Sequence, residues 1–328
     1  MLTIKEIAEK AQVSRTTVSR VLNSSGYVSE EAKGRVLKVI EETGYVPSEN
    51  AKSLRTKRTK VIGVILPKIS TETSSRLVRG VDEVLADEGY QILLANTNLE
   101  PDKEIEYVKL LKSRHVDGII LSATNVNEEL LKQIHQLKIP FVIVGQQIPG
   151  VANVIFDDYQ AAKDMVLHLI GKGHEKIAFI GVDERDRAVG LFRKAGYRDA
   201  MKENGLSIEE GWIQKGIFDV ESGYKCMRKL METSTKPAAV LAVTDRLAIG
   251  AMQYLKETGL SVPGDIAIAG MGGSELSKFI TPSLSTVDFS IEDAGREAAK
   301  LILDKLTGKE FVETIQTIEY RLLERDSI

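Results

Sequence analysis

From Val61 onward, short apolar runs alternate with longer amphipathic stretches, and this alternation constrains the fold more than any other feature of the chain. The runs are VIGVIL, QILLANT, GIILSA, FVIVG, NVIFDD, KIAFIG, AVLAV and IAIAGMG. Strands that alternate with helices indicate βαβ units on parallel sheets. About eight strands in the 328-residue chain predict two doubly wound α/β subdomains. Loops such as LPKISTETSS and GMGGSELSK follow strand ends, where sheets of this kind bind ligands.

The first 45 residues have a different pattern, which predicts three helices. Thr3 and Glu6 have the spacing of a capping box, and apolar residues then recur at helical intervals. Ser14 is a suitable N-cap for a second helix, and Ser29 begins a third with acidic residues in its first turn. Gly44 is suited to end that helix in a left-handed conformation.

The charges are unevenly divided along the chain. The whole protein carries −3, but residues 1–60 hold 12 Lys and Arg against 7 Asp and Glu, which gives +5 and leaves −8 on the rest. A basic head on an acidic body favours nucleic-acid binding, although +5 is small enough to arise by chance. The single cysteine, Cys226, the lack of an apolar signal core and the lack of a membrane-length apolar run together predict a cytoplasmic protein.

Catalytic motifs find no support in the chain. GMGGSE follows a strand, but Glu275 stands where the dinucleotide-binding pattern needs a glycine. No phosphate-binding P-loop and no nucleophile elbow occurs. The four histidines lack the spacing of metal ligands, so the sequence predicts neither an enzyme nor a metal site.

The second predicted helix, within SRTTVSRVLN, has an unusually polar face. Arg15, Thr16, Ser19 and Arg20 lie opposite its apolar residues, and Ser14 stands at its start. Two short helices joined by a tight turn form a helix-turn-helix, whose second helix enters the DNA major groove. Arginine can donate two hydrogen bonds to guanine, and hydroxyls can serve bases or phosphates. A solvated helix face explains the charges equally well, but it does not explain the three-helix unit and the basic connector that follows, PSENAKSLRTKRTK.

Long, ordered motifs resemble the DNA-binding head and hinge of the LacI/GalR family. The matching segments are TI-x-EIA, A-x-VS-x-TTVSRVLN, VSEEA-x-x-RV, GY-x-P-x-x-x-A and the SL of the hinge. One departure is Gln12, where the family usually has glycine in the turn. Gln12 indicates either that a positive φ is not needed there or that some local strain is tolerated.

The resemblance implies a set of DNA-binding residues and a hinge helix. Leu54 corresponds to a leucine that wedges into the minor groove, and Lys52 and Arg55 would hold nearby phosphates. The implied DNA-binding residues are Thr3, Ser14, Arg15, Thr16, Thr17, Arg20, Asn23, Tyr45, Ala51, Leu54 and Arg55. A hinge this short is marginal as a helix alone, so DNA and a partner hinge would have to stabilise it.

The resemblance continues through GHEKIAFIG, RKAGYRDAM, VTDRLAIGAM, VPGDIAIAGMGG and TPSLSTVDF. It implies a periplasmic-binding-protein-like sensor with an effector between its subdomains. Arg193 would grip the effector, while aromatic residues cover it and a polar pair lies at a strand end. The implied effector-binding residues are Ser75, Phe156, Arg193, Phe218, Thr244, Asp245 and Gly272. Many members have a carboxylate where GMGG places Gly272, and similar GMGG segments in sucrose-operon repressors suggest that subgroup.

We therefore expect an all-α helix-turn-helix domain over residues 1–47, a hinge and linker over 48–60 and a sensor over 61–328. The sensor would comprise an N-subdomain of 61–158 plus 288–315 and a C-subdomain of 159–287 plus 316–328. The expected function is a homodimeric repressor of carbohydrate genes that binds pseudo-palindromic operator DNA. A sugar or sugar phosphate would modulate it, with no cofactor. The alternative is a soluble sugar-binding protein or sugar-active enzyme without DNA function.

Overall fold

The computed structural model describes residues 2–23, 25–45, 58–124, 127–309 and 315–328. The chain divides into two compact units, Met1–Lys60 and Val61–Ile328, which are called the head and the body below. Most of the predicted hinge, including Ala51, Leu54 and Arg55, lies outside the described residues. Within the described ranges, no helix combines the length and apolar character needed to cross a bilayer.

The head contains three described helices: α1 (Ile4–Lys10), α2 (Arg15–Leu22) and α3 (Glu30–Thr43). The predicted capping box at Thr3 and Glu6 is confirmed, because each side chain bonds the backbone N–H of the other residue. Ser14 and Ser29 accept N–H bonds in the first turns of α2 and α3, and Gly44 ends α3 with a φ of 59°. The capping residues at the ends of the helices therefore predicted all three helices correctly.

A small core holds the three helices of the head together. Ile7, Ala8 and Val18 from α1 and α2 are buried with Val36 of α3. The turn between α1 and α2 passes through Gln12, whose φ is 51°. The turn therefore does require a left-handed residue, and this protein uses a glutamine where glycine would be unstrained.

The body contains two six-stranded sheets. The described strands are β1 (Val61–Leu66), β2 (Gln91–Asn96), β3 (Gly118–Ser122), β4 (Phe141–Val144), β5 (Ala152–Phe156), β6 (Ile177–Gly181), β7 (Ile213–Lys215), β8 (Ala239–Ala242), β9 (Ala267–Met271), β10 (Ser285–Asp288), β11 (Ile315–Ile318) and β12 (Arg321–Leu323). The eight apolar runs that predicted strands correspond to β1 to β6, β8 and β9. The other four strands, IQK, STVD, IQTI and RLL, contain polar or charged residues and therefore form no continuous apolar run.

Helices connect most of these strands. They are α4 (Glu72–Asp87), α5 (Pro101–Ser113), α6 (Glu128–His135), α7 (Asp158–Gly171), a π-helical turn (Arg187–Phe192), α8 (Arg193–Glu203), α9 (Val220–Glu232), α10 (Asp245–Glu257), α11 (Leu276–Phe279) and α12 (Ile291–Leu306). Helices α4 and α12 cross closely at two glycines. A Cβ at Gly80 would lie 2.0 Å from the Glu292 carbonyl oxygen, and one at Gly295 would lie 2.3 Å from that of Leu77.

The two sheets belong to two subdomains that confirm the predicted doubly wound architecture. The first sheet has the order β11-β5-β4-β3-β1-β2 and is parallel throughout. The second has the order β12-β10-β9-β8-β6-β7, with β12 as an antiparallel edge. In each sheet β-α crossovers bury both faces, which explains the continuous apolar runs of the central strands.

The chain crosses between the subdomains three times, after β5, after β10 and after β11. Strand β11 pairs in parallel with β5 along its whole length, from Ile315 to Ile318. The next strand, β12, pairs with β10 of the other sheet. The predicted boundary between residues 315 and 316 therefore comes too early, and the crossing lies between Ile318 and Arg321. A four-residue strand with only Ile318 buried gave no signal for its sheet.

Candidate functional site

A cavity of about 230 Å³ lies between the two subdomains, at the carboxyl ends of the strands. Segments after β1, β3 and β4 line it from the first subdomain, and segments after β6, β8 and β9 line it from the second. The start of α4 contributes Thr71 to Ser74. This is the position at which doubly wound sheets bind ligands, because loops and helix N-termini converge there. The loops that the sequence singled out are on its wall.

Arg193 lies in this cavity wall and forms a buried ion pair with Asp158. Its Nε is 2.6 Å from Asp158 Oδ1, its Nη1 donates to the Val243 carbonyl oxygen at 2.5 Å, and its guanidinium carbon lies 4.4 Å from the centre of the Phe289 ring. Burial raises the pKa of Asp158, and the charge of Arg193 opposes that rise. Arg193 is thus held rigidly at the wall, with its charge already balanced by a carboxylate.

The predicted polar pair, Thr244 and Asp245, also lines the cavity. Thr244 caps α10 by accepting the Leu247 N–H. Asp245 accepts the Thr286 hydroxyl at 2.5 Å and the Ser274 N–H at 2.7 Å. Burial raises the pKa of Asp245, and these hydrogen bonds counteract it. Its oxygens therefore mainly organise the loop after β9.

Three aromatic rings line the cavity. Phe156 and Phe218 were predicted from the sequence, and the third ring is Phe289. Phe156 and Phe289 meet edge to face, with ring centres 5.5 Å apart. Phe289 follows β10, a strand that the sequence analysis did not identify, and so it was missed. The signal that could have found it is the segment TPSLSTVDF, which matches the resembling family in order and ends at Phe289.

Gly272 lines the cavity where a carboxylate is common in the resembling family. Its φ is 150°, and a Cβ there would lie 3.4 Å from Asp245 Oδ2. The carbonyl oxygens of Gly272 and Gly273 accept hydrogen bonds from Arg76 Nη1 at 3.2 and 3.1 Å. Arg76 Nη2 also contacts Asp288 Oδ1 at 3.1 Å. Arg76, on α4 of the first subdomain, therefore bridges to the second, a role that sequence reasoning missed.

Two further hydrogen bonds join the subdomains across the cavity. Glu72 Oε1 accepts the Glu275 N–H at 2.6 Å, and Gln146 Nε2 donates to Asp186 Oδ1 at 2.9 Å. Burial raises the pKa of Asp186 to about 6, against the lowering effect of the Val189 N–H and the Gln146 amide. With the Arg76 bridge, these contacts hold the two subdomains together around the cavity.

A buried carboxyl group, Glu104, lies behind this part of the wall. Its Oε1 accepts the N–H and the hydroxyl of Thr124, at 3.1 and 3.0 Å, while its Oε2 is buried without a hydrogen-bond partner. Burial raises its pKa to about 7, and the charge of Asp186 adds to that effect. Thr124 itself lines the cavity, so Glu104 positions a wall residue.

Ser75 is the one predicted effector residue that does not line the cavity. It is exposed, and its hydroxyl donates to the Glu72 carbonyl oxygen. The preceding residue, Ser74, is buried and lines the cavity instead. Consecutive residues on a helix point about 100° apart, so an error of one position moves a side chain off the wall.

The exposed side of α2 carries Arg15, Thr16 and Arg20. Neither arginine donates a hydrogen bond to another described residue, and Val18 faces the core on the opposite side. The hydroxyls of Ser14 and Thr17 are 2.9 Å apart and bond to each other. The guanidinium groups and the Thr16 hydroxyl are thus the groups of α2 most available to an external partner.

Three other predicted DNA-binding residues have local roles in the head. Thr3 bonds Glu6 in the capping box, and Asn23 donates to the Ser19 carbonyl oxygen at the end of α2. Tyr45 is only 8% exposed and packs in the head core. Most of the Tyr45 ring therefore packs among apolar residues of the head, and its contact with DNA stays a prediction. Thr3 and Asn23 remain exposed.

Two protein-family models match this chain. Residues 3–48 match bacterial regulatory proteins of the lacI family, and residues 166–328 match a periplasmic binding protein-like domain. The first match covers the described head helices, and the second covers most of the second subdomain and of the cavity wall that it supplies. Together they correspond to the predicted division into a helix-turn-helix head and a sensor body.

Similar proteins match over almost the whole length. The HTH-type transcriptional regulator RegA of Clostridium saccharobutylicum is 35% identical over 326 residues, covering 99% of this chain and 98% of its own. A transcriptional regulator CelR–cellobiose complex is 29% identical, with a TM-score of 0.74 and full coverage of both chains. The lac repressor dimer bound to operator and the anti-inducer ONPF shares the fold, with a TM-score of 0.90, 24% identity and coverage of 99% and 98%. The chain therefore belongs to the lacI family of bacterial regulatory proteins, and it is a DNA-binding transcriptional regulator rather than an enzyme.

Proposed function

We propose that this regulator is a homodimeric repressor of carbohydrate-utilisation genes, controlled by a sugar or sugar phosphate bound between the subdomains of the body. The observation that carries the proposal is the composition of the cavity wall, which combines three phenylalanine rings with fixed polar groups such as Arg193. Aromatic faces suit the apolar face of a sugar ring, and the polar groups suit its hydroxyls. No cofactor other than this effector is part of the proposal.

The size of the cavity favours a small effector. Its volume of about 230 Å³ lies just below the roughly 300–1,000 Å³ of pockets for drug-sized molecules. A single sugar unit or its phosphate is therefore a better match than a long oligosaccharide. The cellobiose complex of the structural neighbour CelR supports a carbohydrate as the class of ligand.

The contacts between the subdomains suggest how an effector acts. Arg76, Glu72 and Gln146 of the first subdomain each bond to the second beside the cavity. A ligand that contacts both walls binds this closed arrangement better than an open one, and so it shifts the population toward it. The body can thereby report occupancy through the geometry of its two subdomains.

The DNA-binding side of the proposal uses α2 in the major groove, with Arg15, Thr16 and Arg20 at the bases or phosphates. From the sequence, Leu54 of the hinge would wedge into the minor groove at the operator centre, Arg55 would hold a nearby phosphate, and Ala51 would lie at the DNA beside them. A dimer on a pseudo-palindromic operator follows from two-fold symmetry. The operator-bound lac repressor dimer supports this arrangement, and a DNA target implies a cytoplasmic location.

The test is a binding selection from random duplex DNA with the full chain, followed by titration of the selected duplex with sugars and sugar phosphates. We expect enrichment of a pseudo-palindrome, two chains per duplex, and a change in affinity with at least one carbohydrate. Arg193→Lys keeps the positive charge but loses the planar guanidinium group. It should reduce the change in DNA affinity that the carbohydrate causes, while the variant still selects the same DNA sequence. If no carbohydrate or carbohydrate phosphate changes DNA affinity, the proposed effector class is wrong.

A further inference from the structure

We infer that the effector of this chain is a phosphorylated small molecule, whose phosphate is bound by Arg246 and Lys68 at the cavity wall. The inference rests on the proposed sensor function and specifies the charge of the ligand. Both residues line the cavity, Arg246 from α10 of the second subdomain and Lys68 from the segment after β1 of the first. A ligand held by both would contact the two subdomains at once.

Four basic side chains line this cavity among the described residues, and two of them are already neutralised. Arg193 is paired with Asp158 at 2.6 Å, and Arg76 with Asp288 at 3.1 Å. By contrast, the side chains of Lys68 and Arg246 bond no other described residue, and Arg246 Nε is buried without a hydrogen-bond partner. A buried donor of this kind costs free energy unless something bonds to it, so it indicates a missing partner.

The acidic residues of the wall do not supply that partner. Asp245 accepts bonds from Thr286 and Ser274, and Asp186 accepts bonds from Gln146 and Val189. Glu72 accepts the N–H of Glu275 and belongs to the bridge between the subdomains. Because each carboxylate is engaged elsewhere, the charge of Arg246 is left for a group that enters the cavity.

The chemistry of the two cations favours phosphate over a neutral hydroxyl. A guanidinium group matches the oxygens of a phosphate with two parallel hydrogen bonds, and an ammonium group adds a point charge. Arg246 is also in the first turn of α10, where the helix dipole favours a negative charge. The three aromatic rings of the wall would then contact the carbon skeleton that carries the phosphate.

The experiment is calorimetry of the full chain with glucose, fructose, glucose 6-phosphate, fructose 6-phosphate and fructose 1-phosphate, and with inorganic phosphate at matched ionic strength. We expect at least one ester to bind at least tenfold more tightly than its parent sugar and than inorganic phosphate. Arg246→Gln and Lys68→Gln should each weaken that ester by roughly ten- to hundredfold and leave the parent sugar nearly unchanged.

Two variants make the result specific. Lys256→Gln removes the same charge from the exposed far end of α10 and should leave the preference for the ester intact. Arg246→Lys keeps the charge without the fork and should recover part of the affinity. If Arg246→Gln does not fold, the affinity of Lys68→Gln for the ester tests the inference.

Each contrary result has a distinct meaning. Parent sugars that bind as tightly as their esters, or an ester preference that survives both Gln variants, would overturn this inference and leave the proposed sensor function standing. Inorganic phosphate that binds as tightly as the esters would overturn the assignment to a phosphorylated molecule. A chain that binds none of these probes would contradict both the inference and the proposed effector class.

Discussion

Arg193 and Asp158 form a buried ion pair in the wall of the cavity, with 2.6 Å between Arg193 Nε and Asp158 Oδ1. Only 8% and 2% of the two side chains is exposed. The pair joins the first residue of α7 to the first residue of α8, directly beside Phe289. It makes Arg193 a fixed part of the fold as well as a candidate ligand contact.

Asp158→Asn should destabilise the body by about 3–5 kcal/mol, because it leaves the buried guanidinium of Arg193 without its counter-charge. The measurement is the free energy of unfolding from urea denaturation of the body transition. Glu203→Gln is the control, since it removes an exposed partner of Lys163 and should cost about 0–1 kcal/mol. Equal losses in the two variants would show that the buried pair contributes no more than a surface pair.

Arg20→Ala should weaken binding to the selected operator by about 1–3 kcal/mol and relax base preference at one position of each half-site, if Arg20 reads a guanine. Binding selection on randomised half-sites measures both effects. Lys38→Ala is the control, because it removes one exposed charge from α3 of the same unit. Unchanged affinity and base preference in Arg20→Ala would remove Arg20 from the DNA-reading face.

Gln12→Gly should stabilise the head by about 0.5–1 kcal/mol. A non-glycine residue in the left-handed conformation costs roughly 1–2 kcal/mol, so glycine would relieve this strain. The greater conformational freedom of glycine in the unfolded chain offsets part of that stabilisation. Hydrogen exchange of the amides of α1 and α2 in the full chain measures the change. Lys10→Gly, at a helical position two residues earlier, should lower protection instead. A head destabilised by both glycines would contradict the strain at Gln12.

Glu104 should make the stability of the body depend on pH. Its pKa is raised from 4.5 to about 7, so the folded state binds more protons than the unfolded state between these values. The free energy of unfolding from this group is therefore most favourable below about pH 4.5 and falls as the pH rises to about 7. Thermal unfolding from pH 4.5 to 8 should show a shallower fall in Glu104→Gln than in the wild type.

The matched control for that series is Glu128→Gln, an exposed residue at the start of α6. It should leave the slope against pH unchanged. Asp186, whose pKa is raised to about 6, contributes in the same direction, so the fall should be reduced rather than abolished in Glu104→Gln. A slope that matches the wild type would show that Glu104 is not the group that titrates.

The sequence by itself determined the helices of the head and the central strands of both sheets. The capping box at Thr3 and Glu6, the caps at Ser14 and Ser29 and the left-handed Gly44 depend on atoms within four residues, so they could be identified locally. The central strands could also be identified, because they are continuous apolar runs, as expected where both faces of a sheet are covered. The position of the candidate ligand site also followed, since parallel strands direct their loops to one edge.

The tertiary structure alone decided which charges in the cavity are paired. Arg76 reaches Gly272 from 196 positions away, and Gln146 reaches Asp186 from 40 positions away, and no local pattern encodes either contact. Only the folded structure shows that Ser74, and not Ser75, lines the cavity. It also shows that β11 and β12 belong to different sheets. Whether two charges pair depends on the distance between them, and only the folded chain sets that distance. The sequence therefore could not distinguish Lys68 and Arg246, which are unpaired among the described residues of the wall, from the paired cations.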